Sequence, residues 1–142
     1  MADVSILETF DVERGAFETA GEASATIKRT LKRLGVDAGI LRRVAVATYE
    51  VELNLIIHSL GGRLELAVDE NWVRVTSSDR GPGIPDIDKA MTEGYSTAPE
   101  DVRTLGFGAG MGLPNMKRNA DDFSIASEVG EGTTICMGFK LR

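Results

Sequence analysis

Apolar residues recur at three- and four-residue steps over residues 16–34, through Phe17, Ala20, Ala23, Ile27, Leu31 and Leu34. Lys28, Arg29, Lys32 and Arg33 surround the later turns. That period predicts an amphipathic helix, and Gly35 is placed to stop it. Asp37 can cap a second long helix that runs to about Ser59, where Gly61 and Gly62 break it. Before these helices, residues 4–10 carry enough β-branched and apolar side chains for an edge strand. After them the period changes to two. Residues 63–68 and 72–76 alternate polar and apolar around Asp69-Glu70-Asn71, which predicts a hairpin. Residues 80–85, rich in glycine and proline, cannot be regular structure. Residues 87–91 suit one or two helical turns, and residues 93–110 read as loop. Residues 113–120 read as a helix that tolerates Pro114 in its first turn. Residues 123–128 and 133–141 form a closing hairpin around Gly130-Glu131-Gly132. Helices before and between antiparallel strand pairs predict an α+β two-layer sandwich with helices on one sheet face. The βαβ alternation of a Rossmann fold is absent.

With 142 residues, 42% hydrophobic and 27% charged, the chain is expected to form one globular domain over residues 1–142. Its net charge of −6 lacks the broad positive field that phosphate backbones attract, so no nucleic-acid partner is expected. Apolar runs such as Leu55-Ile56-Ile57 are far too short to span a bilayer, and no basic segment with an apolar follow-on opens the chain. A cytoplasmic location without membrane attachment is the expectation. Cys136 and His58 are the sole residues of their types, so a disulfide framework or a Cys/His metal site is not expected. A cofactor would be held by carboxylates, amides and backbone.

Three constellations carry candidate chemistry. Glu50, Asn54 and His58 recur every four residues and stack along one helix face, beside a face of Val46, Leu53, Ile57 and Leu60 expected to pack on the sheet. An amide oxygen can ligate Mg²⁺, and a carboxylate one turn away can accept a proton from a nucleophile. Glu52 points about 200° from Glu50, so it is the weaker candidate, and Glu52→Gln is expected to leave nucleotide affinity and phosphotransfer close to wild type. Next, Asp79 at a strand end is followed by Gly81, Gly83 and Ile84, and an ionised Asp suits the exocyclic amine of adenine. Finally, Gly106, Gly108, Gly110 and Gly112 alternate into a helix, a plausible phosphate cradle without the Lys-Ser/Thr pair of a Walker A loop. Each has a plainer reading: a solvated helix face, an Asp-led turn, a ligand-free flexible loop.

Taken in order, Glu50-x-x-x-Asn54-x-x-x-His58, Asp79-x-Gly81-x-Gly83, Gly108-x-Gly110-x-Gly112 and Gly132-Thr133 resemble the Bergerat ATP-binding fold of the GHKL superfamily. That group includes gyrase, Hsp90, histidine kinases and MutL. Gly81-Pro82-Gly83-Ile84-Pro85-Asp86-Ile87 most resembles its anti-sigma-factor serine/threonine kinase branch. Gly94-Tyr95-Ser96-Thr97, Gly110-Met111-Gly112-Leu113-Pro114 and Met116-Lys117-Arg118 are similar to the stressosome switch kinases. The resemblance covers about residues 40–140 and implies a mixed, mostly antiparallel sheet with helices on one face.

The resemblance implies ATP with Mg²⁺ as cofactors. Asn54 would ligate Mg²⁺, Glu50 would be general base, and Asp79 would bind the adenine amino group. Gly81, Gly83 and Ile84 would belong to the base pocket, with Thr133 supporting Asp79 through a hydroxyl or water. Gly108, Gly110, Met111, Gly112 and Leu113 would form the phosphate loop of a mobile ATP lid at about residues 93–110, from which Arg103 is a candidate for the γ-phosphate. The implied function is an ATP-dependent serine/threonine protein kinase that phosphorylates a STAS-domain antagonist or stressosome scaffold protein in a bacterial partner-switching pathway. The alternative is a non-catalytic ATP-binding module that sequesters a sigma factor or a PP2C-type phosphatase. Retention of Glu50 favours catalysis, since sequestration needs no base beside Asn54. A homodimer and a monomer both stay open. His58 reads as a packing or hydrogen-bonding residue beneath the nucleotide, Cys136 as a buried small apolar residue, and Trp72 and Phe123 as core or interface.

Overall fold

A computed structural model describes residues 6–92 and 112–141. The five strands are β1 (Ile6–Val12), β2 (Gly62–Val68), β3 (Trp72–Asp79), β4 (Asp122–Glu128) and β5 (Gly132–Lys140). They form one sheet in the order β1-β2-β3-β5-β4, and every pairing among the described residues is antiparallel. Among the described residues four α-helices accompany it: α1 (Glu22–Arg33), α2 (Ala38–Ile57), α3 (Ile87–Ala90) and α4 (Gly112–Asn119). The α+β sandwich is thus present, with the sheet wholly rather than mostly antiparallel over the described residues.

Alternation along the strands sorts the two sheet faces. Leu64, Leu66, Val73, Val75, Ile135, Met137 and Phe139 point inward and are buried, while Arg63, Glu65, Arg74, Thr134 and Lys140 point outward. The register places Leu66 beside Val75 and Val75 beside Met137. A one-residue slip would carry this apolar set into water, so burial fixes the pairing. Cys136 falls on the outward parity between Ile135 and Met137 and is exposed, which corrects the expectation that it is buried. Trp72 lies at the margin of the outer face, with the Arg74 guanidinium 4.5 Å from its ring centroid. A Cβ at Gly138 would come within 3.1 Å of that ring.

Helix α1 starts later than the apolar period suggests. Residues 17–19 form a separate 3₁₀ turn (Phe17–Thr19), and Gly21, with φ +96°, occupies the cap position of α1. No side chain of α1 caps its own first turn. The Glu52 carboxylate on α2 does so instead, accepting from the backbone N–H groups of Gly21 (3.0 Å), Ala23 (3.3 Å) and Ser24 (3.0 Å). A buried anion against a helix N-terminus satisfies donors that would otherwise be orphaned. At the far end, Gly35 N donates to Lys32 O and Val36 N to Leu31 O, the paired bonds of a Schellman stop.

Helix α2 begins where expected, with Asp37 Oδ2 accepting from Gly39 N at 3.0 Å. Its buried face is Leu41, Val44, Ala47, Thr48, Val51, Glu52, Leu55 and Ile56. Val46 and Leu60, expected against the sheet, are exposed, and Leu53 and Ile57 are half-buried. The helix is apolar on nearly every side, so its sequence does not single out the face that packs. Flanking contacts with α1 and α4 decide it. Gly62 then lets α2 settle onto the end of β3: a Cβ there would lie 2.9 Å from both Leu55 Cδ2 and Asp79 Cα.

Candidate active site

The inner end of α2, the end of β3 and the start of α4 meet at the site. Glu50 and Asn54 stand one turn apart on α2, both half-buried. A Cβ on Gly112, the first residue of α4, would sit 3.3 Å from Glu50 Oε2 and 3.6 Å from Asn54 Oδ1. Two hard oxygens therefore lie beside Gly112, which has no side chain of its own to fill the space. Oxygen donors of this kind suit Mg²⁺, which keeps several waters and takes its remaining contacts from phosphates, and the helix terminus favours an anion beside it. Burial raises the Glu50 carboxyl above its ordinary range, and a hydrogen bond from Asn115 partly offsets that rise. Asn115 Nδ2 donates to Glu50 Oε1 at 3.4 Å.

Asp79 closes the other end. Its Oδ1 accepts from Gly81 N (3.0 Å) and Thr133 N (2.9 Å), which pins the carboxylate. Among the described residues Oδ2 takes no hydrogen bond, and a carboxylate oxygen with its lone pairs uncommitted is the atom an exocyclic amine needs. Gly132 makes this packing feasible, because a Cβ there would collide with the Asp79 carbonyl and stand 3.0 Å from Oδ1. The loop beyond Asp79 is held from both sides. Leu60 N donates to Gly81 O at 2.9 Å, and Gly130 N donates to Pro82 O at 2.8 Å. Gly83, at φ +86°, packs against the Glu128 carbonyl, where a Cβ would come within 2.5 Å.

Thr133 reaches Asp79 through its backbone N–H. Its hydroxyl instead lies 2.7 Å from Ser127 Oγ, and Ile84 N donates to that same Oγ at 2.6 Å. Ser127 was not singled out by the sequence; its signal is the pairing of two hydroxyl residues, Ser127 and Thr133, across the closing hairpin. Asn115 was missed too, although it follows Gly112 by three residues on a short helix. Leu113 is buried in the core beneath α4. His58 ends α2, and burial lowers its pKa, so its imidazole is neutral near pH 7. Gly108, Gly110, Met111, Arg103 and the proposed lid at residues 93–110 lie outside the described residues.

Comparison with known proteins is decisive on family. A profile of the histidine kinase-, DNA gyrase B- and HSP90-like ATPases matches residues 39–142. The chain belongs to this family. The match takes in α2, the sheet apart from β1, and α4, the elements that build the site. Among relatives of this ATPase family, the serine/threonine-protein kinase RsbT of Bacillus subtilis is 35% identical over 112 residues, covering 76% of this chain and 78% of RsbT. The anti-sigma F factor of Geobacillus stearothermophilus is 28% identical over 124 residues, covering 83% and 82%. A crystal structure of the RsbU and RsbW domains of a Mycobacterium tuberculosis protein superposes with a TM-score of 0.66 at 17% identity. It covers 96% of this chain, which spans 32% of that longer one, and supports the fold. Among the described residues, no helix is long and apolar enough to cross a membrane.

Proposed function

We propose that this family member is an ATP-dependent serine/threonine protein kinase of the anti-sigma regulatory type. Its substrate would be a hydroxyl on a STAS-domain antagonist or scaffold protein. The observation that carries the reading is that Glu50 Oε2 and Asn54 Oδ1 both lie beside Gly112 at the start of α4. In this assignment Asp79 Oδ2 receives the adenine amino group while Oδ1 stays anchored to Gly81 and Thr133. Asn54 would hold Mg²⁺, which when bound supplies charge neutralisation for the phosphates. Glu50 accepts the hydroxyl proton as that oxygen bonds to the γ-phosphorus and the bond to the ADP leaving group breaks. A base whose proton affinity is raised by burial is better matched to that transfer than an ordinary surface carboxylate. The kinase name of the RsbT relative supports the same reading.

Sequestration of a sigma factor or phosphatase is the second reading, favoured by the name of the anti-sigma F factor relatives. One experiment separates the two. The purified chain is incubated with γ-labelled ATP, Mg²⁺ and STAS-domain candidates. Label that appears on a STAS protein and requires Glu50 supports the kinase; stable binding of a sigma factor with no label on any candidate supports sequestration.

A further inference from the structure

We propose that Asn115 is a positioning residue that selects which oxygen of the Glu50 carboxylate is presented to the substrate hydroxyl, an inference that rests on the kinase reading above. Asn115 Nδ2 donates to Glu50 Oε1, and on the other side Arg118 Nη1 donates to Asn115 Oδ1, each at 3.4 Å. A guanidinium has donors only, so the amide oxygen must face Arg118 and the amide nitrogen must face Glu50. Chemistry on both sides therefore fixes the amide orientation. The backbone beneath is held as well: Asn119 Nδ2 donates to Asn115 O at 2.8 Å, and Leu113, Pro114 and Met116 are buried.

The terminal torsion of a glutamate is broad and nearly two-fold, so an untethered carboxylate offers its two oxygens almost equally. A donor on Oε1 breaks that symmetry. Oε2 is then the atom turned toward Gly112, beside Asn54 Oδ1, where the phosphate and hydroxyl would meet.

Asn115→Leu keeps the branched side-chain outline, adds no charge beside Glu50 and cannot donate to it. Expected is a loss of roughly tenfold in kcat for phosphotransfer, typical of a displaced reacting group, with ATP affinity changed less than about twofold. Asn115→Ala should lose kcat in the same direction. In a Glu50→Gln background the Asn115→Ala change should alter residual transfer less than about twofold, because no base remains to be oriented. A readout independent of activity is the Asn115 side-chain amide NMR signal of the nucleotide-free protein, identified by its absence in Asn115→Ala. It should shift on Glu50→Ala. Wild-type kcat in both Asn115 variants, an equal loss in the Glu50→Gln background, or an amide signal indifferent to Glu50→Ala would each overturn the proposal. Full activity of Glu50→Gln itself would sink the kinase reading; a slow Glu50→Gln beside normal Asn115 variants would sink this inference alone.

Discussion

Glu52→Gln should destabilise the fold without touching the nucleotide site, because the Glu52 carboxylate caps a neighbouring helix. On a helical wheel Glu52 faces away from Glu50, so a change there should leave nucleotide affinity and phosphotransfer near wild type. In the structure it is 2% exposed and joins α2 to α1 through three backbone N–H groups. An amide can turn its oxygen toward Gly21 and Ala23, which preserves two of the bonds. Its NH₂ then confronts Ser24 N, donor against donor, beside a residue that is itself buried. Losing one bond to a charged acceptor costs about 1.5–3 kcal/mol. Removing the anion from the helix N-terminus adds up to about 2 kcal/mol in a buried geometry, and relief of carboxylate desolvation offsets part of the sum. A net destabilisation of roughly 2–4 kcal/mol follows, a fall in Tm on the order of 10 °C for a chain of this size. Thermal melting followed by far-UV circular dichroism measures it, with calorimetry well below the midpoint to read ATP affinity. The melt should shift while affinity stays near wild type. A Glu52→Gln protein that melts with the wild type would refute the capping role.

Asp79→Asn should weaken ATP binding by about tenfold or more, since an amide anchored through its oxygen to Gly81 and Thr133 turns a donor toward the adenine amine, at a cost of about 1–3 kcal/mol. Unchanged affinity by calorimetry would remove Asp79 from the base pocket. Glu50→Gln should change stability in a pH-dependent way. The Glu50 carboxyl is raised in the folded state, so the native protein holds its proton more tightly than the unfolded chain does, and stability is lost as pH rises through the folded value. The Gln variant lacks that loss. Urea titrations should find the two proteins alike below the ordinary carboxyl value of 4.5 and the variant more stable near neutral pH. The opposite order would contradict burial as the cause.

The fold was legible where local chemistry marks an element's end or where one face is plainly polar. Asp37 and Gly35 bounded their helices correctly, and the alternation around Asp69-Glu70-Asn71 gave the β2–β3 hairpin, with Asp69 Oδ1 accepting from Asn71 N and Trp72 N. Strand β1 is the sheet edge expected and extends two residues past the expected end at Phe10, to the buried Val12. What was hidden depends on partners distant in sequence. The start of α1 is set by Glu52 of another helix, and the packing face of α2 by two neighbours. Exposure of Cys136 depends on strand parity, which residue type does not report. Of the proposed site, the one-turn step from Glu50 to Asn54 and the strand-end placement of Asp79 were readable in the sequence. Ser127 and Asn115 were not, because each matters only through a side chain that the fold brings beside it.

If Glu50 does chemistry while Asn54 and Asp79 hold the nucleotide, a single comparison of binding with transfer shows it. Glu50→Gln keeps the side-chain shape and can still accept from Asn115, so Mg·ATP should bind within a few-fold of wild type. Loss of a general base slows transfer by ~10²–10⁴-fold. Measured side by side, ATP affinity by calorimetry should be retained, and the single-turnover rate of phosphate transfer to a STAS-domain partner should fall into that range. Wild-type transfer by Glu50→Gln would contradict the account and leave the chain an ATP-binding sequestration module.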